Sequence, residues 1–253
     1  MGDSTSSFGF IDRARAADPS PADHRALVDK LVVANRILAH HGIVDGFGHV
    51  SVRAPQDGTF LLSRSLAPAT VTAADILRFD FDGNALDGDT RAPYLERFIH
   101  GEIYRARPDV VSVVHNHSPS VIPFGAVKRP LKPLYHMSAF IGAGSKHFEI
   151  REAGGNTDML IRNRPLGVAL ARSLGDGSVV LMRGHGCTVV GNSIEQAVYR
   201  AIYTEMNARL QREAQDMGEP EFLNAEEAEK ATAMMEGTML RSWNLWVAEI
   251  GPT

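Results

Sequence analysis

The chain has 253 residues, 44% hydrophobic and 22% charged, with a formal net charge of -4, values ordinary for a globular protein long enough to bury a large core. A sequence pI of about 6.2 argues against a nucleic-acid partner, which calls for a basic face, and no apolar run approaches the length of a membrane span. Its single cysteine, Cys187, excludes an internal disulfide or a cysteine-based zinc cluster and fits a reducing cytoplasm.

Residues 1–19 are rich in Ser, Ala and Asp and read as a flexible N-terminal arm. The start lacks a basic-then-apolar secretion signal. Met1-Gly2-Asp3-Ser4-Thr5-Ser6 matches a loose myristoylation pattern, read as coincidence without a second anchoring signal. A helix is expected from Ser20, its cap, and Pro21, in its first turn; Leu27, Leu31, Ala34 and Leu38 recur at helical spacing up to Gly42. Strands follow at His49–Arg53, Thr59–Ser63 and 76–81, the last closed by Asp82-Gly83-Asn84. A helix over 96–106 precedes a strand over 110–114, and a looser Pro-containing stretch carries Tyr135-His136-Met137. Thr157 is the expected cap of a helix over 158–173. The strands Ser178–Met182 and Thr188–Val190 flank a Gly-His-Gly, and helices opened by Ser193 and spanning 225–247 complete the chain. With no repeat or dividing linker, residues 20–253 read as one domain of α/β or α+β type.

The segment from Pro93 to Pro119 carries the chemistry. His115 and His117 end an apolar strand two residues apart, so they share a face. Two converging imidazoles are a usual way to hold a divalent metal. A third candidate is His185, in Arg183-Gly184-His185-Gly186-Cys187, where glycines let the backbone crowd a site. Random placement of 10 histidines gives about 0.4 His-x-His pairs, so the spacing alone is weak; the preceding strand, the Glu96 carboxylate and the glycine-flanked His185 add weight. Glu96 is open to two readings, a site carboxylate or an acid favoured by the helix dipole. Cys187 reads as a buried thiol rather than a nucleophile.

Gly48-His49-Val50-Ser51, Glu96, His115-Asn116-His117 and His185-Gly186 resemble, in order and spacing, the motifs of the class II aldolase/adducin family over roughly residues 22–215. The resemblance implies a three-layer α/β/α domain around a largely antiparallel sheet, usually in a fourfold-symmetric tetramer. It also implies one divalent ion per subunit (Mn²⁺, Zn²⁺, Co²⁺ or Fe²⁺) on His115, His117 and His185, with Glu96 beside it as acid/base.

Where the sugar-phosphate aldolases of the family have a Pro-Ser-Ser-Glu entry, this chain has Pro93-Tyr94-Leu95-Glu96; a Thr-x-Ser-Gly type loop reads Leu62-Ser63-Arg64-Ser65, and the loop Asn is His49. Loss of the hydroxyls argues against a sugar phosphate. Phe47-Gly48-His49-Val50-Ser51, Tyr135-His136 and Arg183-Gly184-His185-Gly186 are similar instead to the decarboxylases of hydroxylated aromatic or pyridine dicarboxylates within the family. That branch implies a small aromatic dicarboxylate substrate, with Glu96 or His49 protonating the carbon that loses CO2. Ser51, Arg53, Ser63, Arg64, Tyr94, His136 and Arg183 are the candidate substrate contacts, the arginines because guanidinium matches carboxylate in a bidentate way. Taken singly, each arginine reads first as a salt bridge, Tyr94 and Phe140 as plain core and His136 as packing, while His100 faces either the site or the core. Trp243 and Trp246 either cover a cavity mouth, that of their own or of a neighbouring subunit, or pack. An aldolase for a non-phosphorylated hydroxy-oxo acid and a non-catalytic adducin-like interaction module are the alternatives.

Overall fold

Alternation along seven short strands decides the architecture, because each strand has apolar side chains for both faces. The computed structural model describes residues 21–55, 58–127 and 129–251; the expected N-terminal arm and the Ser20 cap lie outside them. The strands are β1 (His49–Arg53), β2 (Thr59–Ser63), β3 (Ile76–Asp80), β4 (Ser112–Asn116), β5 (Lys146–Phe148), β6 (Val179–Met182) and β7 (Gly186–Gly191). They form one sheet in the order β3-β2-β1-β4-β7-β6-β5, antiparallel throughout except for β5 beside β6.

The helices are α1 (Pro21–His40), α2 (Arg97–Ala106), α3 (Ile122–Val127), α4 (Ile150–Gly154), α5 (Arg164–Leu174), α6 (Ile194–Met217), α7 (Ala225–Glu236) and α8 (Leu240–Ile250). Val50, Val52, Leu61, Val114, Leu181 and Val189 pack with α1, α6 and α8 on one face of the sheet. Phe60, Leu62, Phe79, Val113, Val180 and Val190 pack with α2 and α5 on the other. The result is the expected three-layer α/β/α arrangement. The same alternation turns His49, Ser51 and His115 toward α2, and the β1–β4 register sets His49 opposite His115.

Three expected elements differ. The strand expected over 110–114 runs from Ser112 to Asn116, because its ladder with β7 continues through His115↔Thr188 and Asn116↔Cys187; buried polar residues are paired there, where an apolar run had marked the strand. The helix expected over 158–173 starts only at Arg164. Asn163 caps it by accepting from the Leu166 N–H, while Thr157 Oγ1 instead accepts from Met159 N, and Met159 sits at φ 74, outside the helical region. The closing helix breaks into α7 and α8 at Gly237, a poor helix former. Trp243 and Trp246 are buried with α1 and α6, on the sheet face away from α2, so they pack within the chain and do not cover its own cavity. Helices α3 and α4 and strand β5 were not foreseen. Among the described residues, no helix is long and apolar enough to cross a membrane.

Candidate metal centre and adjoining cavity

Three histidines from two separate strand ends meet one carboxylate. His115 lies in β4, His117 just beyond it, and His185 in the turn between β6 and β7. His117 Nε2 is 3.2 Å from His115 Nε2 and 3.1 Å from His185 Nε2. Glu96 Oε2 lies 3.5 Å from the Nε2 atoms of His115 and His185. One ligand atom from each of these four residues lies within 4.8 Å of all the others.

Backbone carbonyls orient two of the rings. His115 Nδ1 faces the Cys187 carbonyl at 3.1 Å and His185 Nδ1 the Met159 carbonyl at 3.0 Å. A carbonyl only accepts, so each Nδ1 carries the proton and each Nε2 turns a lone pair inward. The Glu96 carboxylate is held from behind, its Oε1 accepting from Ile161 N at 2.9 Å.

That donor set fits a divalent cation. Two inward lone pairs, a third imidazole and a carboxylate within hydrogen-bond range repel unless positive charge lies among them. Ligand bonds of about 2.1 Å around a tetrahedral centre place neighbouring nitrogens about 3.4 Å apart, near the spacing found. Burial, together with His115 and His185, lowers His117 to about 4, so its imidazole is neutral and able to ligate at neutral pH. Burial alone would raise Glu96, but His115 and His185 outweigh it and hold the carboxyl well below its usual range. His185 goes the other way: burial would lower it, yet the Glu96 carboxylate beside it and the Met159 carbonyl raise it.

Two glycines permit this convergence. Gly48, at φ +89, turns the chain into β1; a Cβ there would meet Val44 Cγ1 at 2.6 Å and the His115 carbonyl at 3.0 Å. At Gly186 a Cβ would lie 2.1 Å from the Asn116 carbonyl oxygen, so Gly186→Ala must push β7 from β4 beside two ligands. The expected result is a loss of about 1–3 kcal/mol or more of stability, read as a lower Tm together with a lower metal content.

A cavity of about 280 Å³ opens beside the cluster, lined by Phe47, His49, Leu66, Tyr94, Leu95, Glu96, His117 and Leu160 among others. Its wall is mostly apolar, and Phe47 is 72% and Leu95 56% exposed at the surface. Tyr94 lies against His49 with ring centroids 4.6 Å apart, and its hydroxyl donates to the Leu66 carbonyl, which leaves its ring as the surface offered. His49 is 3% exposed and is lowered well below the ordinary histidine value by burial and by neighbouring His100.

Tyr94, Glu96, His49, His117, His115 and His185 therefore come together, whereas the other candidate contacts do not reach the cavity. Arg53, at the far end of β1, donates to the carbonyls of Val110, Tyr104 and Arg107, so three backbone acceptors hold its guanidinium away. Arg64 Nε pairs with Asp75 Oδ1 at 2.7 Å, and Arg183 Nε lies 2.5 Å from Glu149 Oε2, so both serve local ion pairs. Ser63 is fully buried in β2, and Ser51 in β1 is likewise closed off, its hydroxyl turned to His100 and Tyr104. His136 is exposed in a 3₁₀ turn and borders a different cavity with Tyr199 and Arg200.

Sequence reasoning missed Tyr104 and left His100 undecided. The signal was present: Glu96, His100 and Tyr104 recur every fourth residue, and so share one face of α2. That face meets His49 and Ser51 of β1 through His100 Nε2–His49 Nδ1 (2.7 Å) and His100 Nδ1–Ser51 Oγ (2.6 Å).

Residues 29–212 match the family described as Class II Aldolase and Adducin N-terminal domain. The chain is 38% identical over 239 residues to the decarboxylase tropJ of Talaromyces stipitatus, covering 85% of this chain and 90% of that protein. It is 35% identical over 213 residues to the 3,4-dihydroxyphthalate decarboxylase of Arthrobacter keyseri, covering 79% and 83%. Among solved structures, an aldolase II superfamily protein from Pseudomonas syringae superposes with a TM-score of 0.73 at 28% identity, over 92% of this chain and 94% of that one.

Proposed function

Since the chain belongs to the class II aldolase and adducin N-terminal domain family, we propose that it is a metal-dependent decarboxylase of a hydroxylated aromatic or pyridine dicarboxylate. Relatives named as decarboxylases at 35–38% identity support the reaction class. The observation that carries the substrate class is the cavity wall: an aromatic ring and leucines stand beside the histidine–glutamate cluster, where a sugar phosphate would require polar donors. Such a wall suits a flat ring, buried by area and stacking.

His115, His117 and His185 would hold the ion. When bound, it supplies Lewis-acid polarisation of the ring hydroxyl and an adjacent carboxylate. The apolar wall of Tyr94, Leu66 and Leu160 orients the ring and excludes water from the carbon that reacts. The bond from that carbon to one carboxyl breaks, CO2 leaves, and the electron pair stays on the ring. Glu96 or His49, both bordering the cavity, delivers the proton that replaces the carboxyl; Glu96, ionised in the free site, first takes that proton from the ring hydroxyl of the bound acid. A homotetramer in the cytoplasm belongs to the same proposal.

The test is a panel of ortho-hydroxy aromatic and pyridine dicarboxylic acids, assayed for CO2 on protein loaded in turn with Mn²⁺, Zn²⁺, Co²⁺ and Fe²⁺. CO2 with the matching monocarboxylate is expected. Pyruvate plus an aldehyde from a hydroxy-oxo acid would instead establish an aldolase. No bound metal and no turnover with any ion would leave an interaction module.

A further inference from the structure

Behind His49 runs a closed chain of hydrogen bonds that the proposed chemistry has not used. His49 Nδ1 meets His100 Nε2 at 2.7 Å, His100 Nδ1 meets Ser51 Oγ at 2.6 Å, and Ser51 Oγ meets the Tyr104 hydroxyl at 2.7 Å. Ser51 and His100 are 0% exposed and Tyr104 1%, so water does not complete any missing bond. Each hydroxyl hydrogen needs an acceptor within the chain.

Only one direction meets that need. The Tyr104 O–H donates to Ser51 Oγ, the Ser51 O–H donates to His100 Nδ1, and the His100 Nε2–H donates to His49 Nδ1. Reversing any link strands the Tyr104 or the Ser51 hydrogen without an acceptor, which disfavours it by roughly tenfold to a hundredfold. His100 fits this role as a neutral ring, since burial and then His115 lower it to about 3. With its Nδ1 occupied as an acceptor, His49 carries its hydrogen on Nε2, the nitrogen left for the cavity it borders.

We propose that Ser51, held by the Tyr104 hydroxyl, and His100 are positioning residues that lock His49 in its Nε2–H form, so that it meets a carboxylate oxygen of the bound acid as a hydrogen-bond donor and offers no lone pair to the metal. This deepens the reading of the cavity as a site for an aromatic dicarboxylate and rests on it. Proton delivery to the ring carbon then falls to Glu96.

Neutron diffraction from deuterium-exchanged, unaltered Zn²⁺-loaded protein tests the lock directly. A deuteron on His49 Nε2 and none on Nδ1 is expected; a deuteron on Nδ1 overturns the proposal. Calorimetry with phthalate, which has the paired carboxylates but no ring hydroxyl to direct turnover, tests the donor role. Ser51→Ala, which removes the hydroxyl that donates to His100 Nδ1, is expected to weaken phthalate binding about five- to tenfold with metal content unchanged, and Ser51→Thr, which keeps the hydroxyl, to restore it. Binding within twofold of the parent in folded Ser51→Ala protein overturns the positioning role, and no binding of phthalate to the parent overturns the carboxylate contact. Neither measurement depends on CO2 release, so failure of the decarboxylase reading would be seen separately.

Discussion

Alanine at His115 is expected to remove both the bound metal and the CO2-releasing activity while the fold survives. The ring is fully buried at the centre of the cluster, with its Nδ1 held by the Cys187 carbonyl and its Nε2 3.2 Å from that of His117. Removing it takes away one of three imidazole ligands and also a neighbour that helps hold the Glu96 carboxyl below its usual range. Loss of a mere outer partner of a ligand costs about 10–100-fold in metal affinity, so loss of the ligand itself is expected to exceed that. Lewis-acid stabilisation is worth several kcal/mol, which corresponds to a rate loss of about 10³ or more. Elemental analysis and CO2 release on the same sample check it; an alanine variant that keeps a stoichiometric ion and full turnover would remove His115 from the site. Cys187 keeps its register with Asn116 of β4 and Leu181 of β6, so the circular dichroism spectrum is expected to stay that of the parent.

Glu96→Gln is expected to leave the ion in place and lower kcat by about 10²–10⁴, the range lost with a general acid. The amide keeps the shape and can still accept from Ile161 N, which bonds Oε1 at 2.9 Å, so the start of α2 and the segment before α5 stay docked. What disappears is a group able to carry a proton to the cavity. KM for the dicarboxylate is expected to change much less than kcat, because the ring contacts come from Tyr94 and its apolar neighbours. Loss of the ion together with activity would instead make Glu96 a ligand, a role its 3.5 Å approach to the Nε2 atoms of His115 and His185 also permits. Steady-state kinetics and metal content, measured together, separate the two.

The legible part of the site was the part written in local patterns. His115 and His117 share a strand face by spacing, and Gly186 beside His185 signals backbone crowding that a Cβ 2.1 Å from the Asn116 carbonyl makes concrete. The α2 face bearing Glu96, His100 and Tyr104 was equally periodic, yet an isolated polar residue on a helix gives no sign of whether its neighbour is water or a buried serine. The arginines show the same limit from the other side. Arg53, Arg64 and Arg183 have the right chemistry for a carboxylate, but their partners are carbonyls at the far end of β1, Asp75 and Glu149. Those partners are separated from them in sequence by up to 57 residues, beyond any local pattern.

Residue order alone determined that this chain builds alternating strands and amphipathic helices, bears one cysteine and collects histidines beside glycines, because backbone periodicity and side-chain type act over a few residues. Only the folded sheet decided which imidazoles meet, which guanidinium groups are used up on local acceptors, and which way the hydrogen bonds behind His49 run. Antiparallel pairing of β1, β4 and β7 sets those neighbours, and burial then removes the water that would otherwise let every polar group choose its own partner.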